Sequence, residues 1–443
     1  MDWQDIYQSR ICGADEAVRL IKSGDRVVMA HAVGEPPALV EAMVNNAEAY
    51  RGVEICHMIS VGSGAYSDVK YKDNFTFNAM FTSANTRKSI AEGHGQFTPV
   101  FFHEIPGYFR KGILPIDVFL LQVTPPDKHG YCCVGVSSDY TIQGAKSATI
   151  VLAQINDRLP VVYGDTFLHV SEIDRFVVRS EPPAEAPPAA VNDAARKISE
   201  FCVDLIEDES TLQIGIGAIP EAITAGLIRK RDLGIHSELV TDTLVDLYEA
   251  GVVTNRKKSL DNGKMVSTFL MGTKKLYDFA ERNPAVLLRT VDYVNNPMIV
   301  AQCNRMVSIN SGIEVDFMGQ VVSDSIGVRQ FSGVGGQVDF IRGTSMSLDG
   351  LGKSIIALPS AATLRDGAFV SKITPYIAHG AAVTTSRNDV DIIVTEYGVA
   401  RLKGKTLRQR ARSLIAIAHP DFRDGLAAEF EERFGVSYRP GAG

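Results

Sequence analysis

Residues 27–43 read VVMAHAVGEPPALVEAM, and residues 212–227 read LQIGIGAIPEAITAGL. Each opens as a short apolar run and passes through a glycine turn. Each then reaches a proline and continues with apolar residues at helical spacing. Proline has its φ preset near the helical value and lacks the N–H that a first helical turn leaves unpaired, so it suits a helix start. Strand, tight turn and helix form the opening of a parallel α/β unit. Three more pairs follow in the same order. GVEICHM (52–58) parallels LGIHSEL (233–239), Asp127-Lys-His-Gly130 parallels Asp316-Phe-Met-Gly319, and IVLAQINDRL (150–159) parallels IIVTEYGVARL (392–402). Four matches in one order predict a duplicated domain.

The fold class expected is therefore α/β, with two similar open α/β domains. Further strands are predicted over Arg26–Ala30, Gly52–His57, Val118–Val123 and Thr149–Gln154, and over Thr211–Gly215, Lys353–Ala357 and Asp391–Thr395. Helices are predicted over Pro37–Asn46, Asn192–Ile206 and Pro220–Arg229, the second capped by Asn192 or Asp193. EPPAEAPPAA (181–190) holds four prolines in ten residues, which forbids a regular helix and marks a linker. The expected organisation is a first domain over 1–180, a linker over 181–191 and a second domain over 192–443.

The chain has 443 residues, with 45 Lys+Arg against 52 Asp+Glu and a formal charge of −7. That balance argues against a nucleic-acid partner. No apolar run approaches the roughly 18 residues of a membrane span. The first ten residues lack the basic-then-apolar pattern of a secretory signal, so a cytoplasmic protein is expected. The six cysteines are scattered and form no CxxC pair, which fits reduced thiols, and the nine histidines are dispersed. No metal site is expected.

Three stretches could carry chemistry. In Gly215-Ile-Gly217-Ala-Ile-Pro220 a glycine turn lets backbone approach a ligand at a helix N-terminus, where free N–H groups face outward. In Gly333-Val-Gly335-Gly336 three glycines in four residues expose consecutive N–H groups, as an oxyanion site requires. In Ile235-His-Ser-Glu238 a carboxylate follows an apolar segment read as the next strand, and strand ends of α/β sheets are where ligands bind. Taken singly, each has a bland reading: a βα turn, a surface loop and a solvated glutamate. The GxSxG elbow and the P-loop are both absent.

GIGAIPEAI (215–223), LGIHSEL (233–239), FLMGTKKLYDF (269–279), INSGIEVDFMGQV (309–321), SGVGGQVDF (332–340) and VTEYGVARLKGKTLRQRARSLIAIAHPDFR (394–423) together resemble the acetyl-CoA hydrolase/transferase family. The likeness is greatest to the 4-hydroxybutyrate and butyrate CoA-transferases, and TPPDKHGYCCVGVSSD (124–139) extends it into the first half. The resemblance implies two α/β domains with the active site in a cleft between them, and Glu238 as nucleophile. It implies CoA contacts at Gly215, Ile216, Gly217, Ala218 and Ile219, at Ile313 and at Gly336. Gly335 and Gly336 would supply oxyanion donors, and His31 and Gln213 are candidates for the acid pocket. Lys274, Lys275 and Arg401 are candidates for the CoA 3′-phosphate. The resemblance implies that a 4-hydroxybutyrate enzyme has a second acidic residue near the loop that here reads GSGAY (62–66), where Val61, Ser63 and Ala65 are uncharged. Butyrate and acetate thus stand beside 4-hydroxybutyrate as acceptors.

The implied chemistry is ping-pong transfer of CoA through a glutamyl–CoA thioester, with no tightly bound cofactor and acyl-CoA and a short carboxylate as substrates. Hydrolysis, with water as acceptor, is the alternative from the same glutamate. A homodimer or higher homo-oligomer is the expected assembly.

Overall fold

The computed structural model describes residues 2–364 and 366–439. By its internal contacts the chain divides into two compact units. One comprises Met1–Pro187, Glu238–Asp242 and Lys264–Asn295, and the other Pro188–Ser237, Thr243–Gly263 and Asn296–Gly443. The expected organisation has a single linker and places Glu238 in the second domain, 192–443. In the structure two short segments from beyond the proline-rich stretch join the first unit, and Glu238 opens one of them.

The first unit holds a seven-stranded sheet. Its strands are β1 (Arg26–Met29), β2 (Val53–His57), β3 (Phe75–Ala79), β4 (Gly95–Phe97), β5 (Ile116–Val123), β6 (Ala148–Ile155) and β7 (Arg175–Val178). They lie in the order β4-β3-β2-β1-β5-β6-β7, and every neighbouring pair is parallel. The sheet carries a packed core on each face. Val28, Phe119 and Leu121 point into one, while Val27, Val118 and Leu120 point into the other. A strand buried on both faces reads as a continuous apolar run, as IDVFLLQV does over β5.

The second unit holds β8 (Thr211–Ile214), β9 (Gly234–Ile235), β10 (Met306–Ser311), β11 (Lys353–Ala357), β12 (Ile392–Thr395) and β13 (Gly398–Arg401). Their order is β9-β8-β10-β11-β12-β13, parallel throughout except for the β12–β13 hairpin. The shared order is second, first, third, fourth, fifth: β2-β1-β5-β6-β7 in one unit, β9-β8-β10-β11-β12 in the other. The duplicated α/β architecture is therefore present in the topology.

One repeat match survives to the hydrogen bond. Asp127 Oδ1 accepts from the N–H groups of His129 and Tyr131 at 2.8 and 2.9 Å. Asp316 Oδ1 accepts from Met318 and Gln320 at 3.0 and 2.9 Å. Gly130 and Gly319 close the two turns with φ of 83° and 85°, where a side chain would be strained. Another match needs correction. The pairing of 150–159 with 392–402 sets β6 against β12, whereas sheet order makes β11 the counterpart of β6 and β12 that of β7. Doubly buried parallel strands share one apolar vocabulary, so apolar likeness does not say which strand is which.

The helix predicted after the linker spans Asp193–Leu205, and the Asn192 side chain accepts from Ala195 N–H at 2.8 Å. Ile198 and Cys202, one turn apart, are buried. Among the described residues no helix is long and apolar enough to cross a membrane. No cluster of three or more His, Cys, Asp or Glu side chains suited to a metal occurs among them.

Candidate active site

The segment read as one strand, 233–239, is two. β9 stops at Ile235, and Leu239–Val240 begins a separate parallel pair with Phe269–Leu270. Side chains cover the outer edge of β9. The N–H of Ile235 donates to Asn255 Oδ1 at 2.8 Å, and its carbonyl accepts from Lys258 Nζ at 2.8 Å. Burial pushes the Lys258 amine down to about 8. Ser237 then uses its hydroxyl where a strand would use backbone. Its Oγ donates to the Ile214 carbonyl at 3.2 Å and accepts the Ile214 N–H at 3.3 Å. The chain leaves the sheet here, and Glu238 is the next residue.

The Glu238 carbonyl accepts from the N–H groups of Thr268 and Phe269 (3.0 and 3.3 Å) and from the Thr268 hydroxyl (3.1 Å). The Ser267 hydroxyl stands 2.9 Å from this carbonyl and 2.9 Å from that of Phe269, and its one proton serves either. Its half-buried side chain points a carboxylate oxygen at Asn295, whose Nδ2 donates to Oε2 at 2.8 Å. Asn295 is fully buried and its Oδ1 has no hydrogen-bond partner. A backbone fixed this firmly leaves only the side-chain torsions of Glu238 free.

The same network runs on to His31. The Thr268 carbonyl accepts from the N–H groups of Ser138 and Asp139 at 3.0 and 3.3 Å. Asp139 is fully buried, lies with Oδ2 3.2 Å from His31 Nδ1, and accepts from Ser137 Oγ at 2.5 Å and from its neighbour's backbone, Tyr140 N–H, at 2.6 Å. The His31 ring is boxed by Phe269, Phe102 and Tyr140, with centroids 4.5, 5.4 and 6.0 Å away. His31 and Glu238 thus belong to one unit and one bonded framework, although 207 residues separate them in sequence.

Glu35 is a residue the sequence reading missed. It is buried, its Oε2 accepts from Ser60 Oγ at 2.7 Å and Gly62 N–H at 3.2 Å, and burial raises its carboxyl above the usual range. A Cβ on Gly62 would lie 2.3 Å from Glu35 Oε1, so the loop rests directly on the carboxyl. Asn85 Nδ2 grips the other side, donating to the Gly62 carbonyl at 2.7 Å. The 60–66 loop lacks an acid of its own, but one reaches it from the end of β1. The available signal was a glutamate before Pro36-Pro37 at a strand end.

Of the remaining predicted residues, Gln213, Gly215–Ile219, Ile313, Gly335, Gly336 and Arg401 lie in the second unit, and Lys274 and Lys275 in the first. Gly215–Ile219 follows β8 and leads into the helix Ala218–Gly226, with Gly217 at φ 111° as its N-cap. Gln213 sits in β8 with its amide tied to the Asn310 side chain (3.4 and 3.2 Å). Ile313 is half-buried, and its N–H donates to the Val322 carbonyl at 2.7 Å. Gly335 has φ 54°, and Gly336 caps the helix Gln337–Ser345, in which Val338 and Phe340 are buried. The glycine loop is therefore anchored. Lys274, in the first unit, pairs with Asp278, and Arg401 is exposed on β13.

Residues 1–186 match the acetyl-CoA hydrolase/transferase N-terminal domain, and residues 272–430 match the C-terminal domain of the same family. The chain belongs to the acetyl-CoA hydrolase/transferase family. It is 53% identical to the 4-hydroxybutyrate coenzyme A transferase of Clostridium kluyveri over 98% of this chain and 100% of that one. It is 35% identical to the butyryl-CoA:acetate CoA-transferase of Anaerostipes caccae, covering 98% of each. The crystal structure of a 4-hydroxybutyrate CoA-transferase from Porphyromonas gingivalis superposes with a TM-score of 0.83 at 39% identity, over 98% of this chain and all of that one. As a member of the acetyl-CoA hydrolase/transferase family, the protein is an enzyme with the family's two-part α/β architecture. The segment carrying Glu238 falls between the two matched stretches.

Proposed function

We propose that this protein moves CoA between an acyl-CoA and a short-chain carboxylate, with Glu238 as nucleophile. The observation that carries the reading is the clamp on Glu238: the Thr268 and Phe269 N–H groups and the Thr268 hydroxyl on its carbonyl, and an amide on its carboxylate. A merely solvated glutamate has no need of such a mount.

Glu238 attacks the acyl-CoA carbonyl and expels CoA thiolate, giving a mixed anhydride. The thiolate attacks the glutamyl carbonyl and releases the first acid, leaving a glutamyl–CoA thioester. The incoming carboxylate attacks that thioester, and the steps reverse with CoA delivered to the new acid. Covalent catalysis divides one difficult transfer into several easier ones. The N–H groups of Gly335 and Gly336 serve the tetrahedral oxyanions, each such donor contributing about 3–4 kcal/mol. CoA lies along Gly215–Ile219, Ile313 and Gly336, and its binding energy is used at the thioester. His31 serves the acid end of the reaction. CoA enters and leaves as substrate.

The test combines trapping with an acid panel. Enzyme treated with acyl-CoA and then borohydride should lose activity, because borohydride reduces the thioester, and peptide mapping should place the reduced residue at Glu238. Product thioesters from acetate, butyrate and 4-hydroxybutyrate, scored by mass, identify the acceptor. A label on a cysteine, or near-normal exchange by Glu238→Ala, rules the mechanism out. Equal acyl-CoA consumption with and without added carboxylate makes the enzyme a hydrolase instead.

A further inference from the structure

Leu239–Val240 and Phe269–Leu270 form a parallel pair only two residues long, and all four side chains are buried. Register in a sheet follows from which side chains face the core, and a slip of one residue sends every side chain to the opposite face. Here both faces take apolar side chains, so burial does not choose between registers. Glu238 immediately precedes this pair, and a slip would turn its carboxylate away. Another group has to fix the register.

That group stands two residues past the pair. Asp242 is buried; its Oδ2 accepts the Thr273 N–H at 2.9 Å, and its Oδ1 accepts from the Thr273 hydroxyl at 2.7 Å. The bonding therefore advances in steps of two. The Glu238 carbonyl accepts from Thr268 and Phe269, the Val240 carbonyl accepts the Met271 N–H at 3.2 Å, and the Asp242 side chain accepts from Thr273. The helix Asp242–Glu249 begins at this point, so a carboxylate takes over where the extended backbone ends. The close approach depends on Gly272, where a Cβ would lie 2.6 Å from Asp242 Oδ2. The proline-rich stretch backs the same turn. Ala186 N–H donates to the Gly272 carbonyl at 2.8 Å, and the Tyr277 hydroxyl donates to the Ala184 carbonyl at 2.7 Å. All of these residues belong to the first unit.

We infer that Asp242 is a positioning residue for Glu238: by gripping Thr273 it sets the register of the segment Glu238–Asp242, and with it the side on which the Glu238 carboxylate emerges. This rests on Glu238 as the nucleophile proposed above. Two quantities test it on the full-length enzyme. One is the rate of glutamyl–CoA formation from acetyl-CoA, trapped with borohydride in a single turnover and mapped to Glu238. The other is the equilibrium affinity for CoA. Asp242→Ala removes both acceptors. Thr273→Val removes the hydroxyl and keeps the branched shape. Gly272→Ala leaves Asp242 and Thr273 in place and drives a methyl group against the carboxylate. Each should slow trapping at least about tenfold with CoA affinity unchanged, because a reacting group misplaced by about 1 Å can cost about 100-fold. Thr273→Ser keeps the hydroxyl and should trap at the wild-type rate. The Thr273 hydroxyl also caps the helix Lys274–Ala280, so Tm is read alongside. A purely structural role would lower Tm and leave the trapping rate of the folded enzyme unchanged. If Asp242→Ala does not fold, the Thr273→Val and Thr273→Ser pair decides. Wild-type trapping in Asp242→Ala or Thr273→Val, equal losses in Thr273→Val and Thr273→Ser, or CoA affinity falling in step with the rate overturns the inference and leaves Glu238 as nucleophile. A wild-type enzyme that forms no adduct at Glu238 overturns both.

Discussion

Asn295 Nδ2 lies 2.8 Å from Glu238 Oε2, and the two residues are 57 positions apart in the chain. The donor is fully buried and its own Oδ1 is unpartnered, so the amide is held by packing and by the carboxylate alone. Asn295→Ala should lower kcat by about 10–100-fold, the worth of a hydrogen bond to a charged group. Asn295→Asp should do worse, since it places like charges together. The check is the rate of glutamyl–CoA formation in single-turnover trapping, with CoA binding measured in parallel. An unchanged trapping rate would remove Asn295 from the support of the proposed nucleophile.

Gly335 has φ 54°, a region that costs other residues about 1–2 kcal/mol. On the oxyanion role proposed for this loop, Gly335→Val should lower kcat/KM for acyl-CoA by at least about tenfold, because displaced donors lose much of their contribution. Gly350 has φ 70° and open space around its missing Cβ, so Gly350→Val carries similar backbone strain without touching the loop. The paired comparison is a Tm reduced in both variants and kinetics altered in Gly335→Val alone.

Asp139 stands at the start of the helix Thr141–Ser147, and Gly144 in that helix rests on Phe119 of β5. A Cβ there would sit 2.3 Å from the Phe119 ring, which is itself fully buried. Gly144→Val should destabilise the first unit by at least about 2 kcal/mol, the usual scale of core overpacking. Urea unfolding followed by a probe in that unit measures it, and a midpoint within error of wild type would contradict the packing described.

Lys258 gives a pH signature. Its amine falls from 10.5 to about 8 on burial. Between those values the unfolded chain binds a proton that the folded chain does not, so stability rises with pH across that window. Below about pH 8 both states are protonated and the penalty of the buried charge is fully present. The gain from pH 8 to 10.5 is about 3 kcal/mol. Lys258→Met should abolish this part of the slope. Urea unfolding at pH 7 and pH 10 for both proteins, read as the difference of differences, checks it. Equal slopes would place Lys258 in water.

Much of this protein was determined by its sequence alone, because the controlling physics is local. The two strand–glycine–proline–helix openings, the Asn192 cap, the limits of Lys353–Ala357 and the paired turns at Asp127 and Asp316 each depend on neighbours within a few residues. Six ordered motifs carried the family resemblance for the same reason. The tertiary structure decided what depends on distant partners. Side chains from Asn255 and Lys258 cover the outer edge of β9, Ser237 turns its hydroxyl to Ile214, and the chain leaves the sheet before Glu238; nothing in IHSEL announces that break. Asn295 and Asp139 are an amide and an acid in unremarked stretches until folding sets one on Glu238 and the other on His31. Glu35 supplies a carboxyl to a loop whose own sequence has none. A residue's chemistry is written in its side chain. Its role depends on which donors and acceptors lie within about 3 Å, and those come from segments that only the packed sheet brings together.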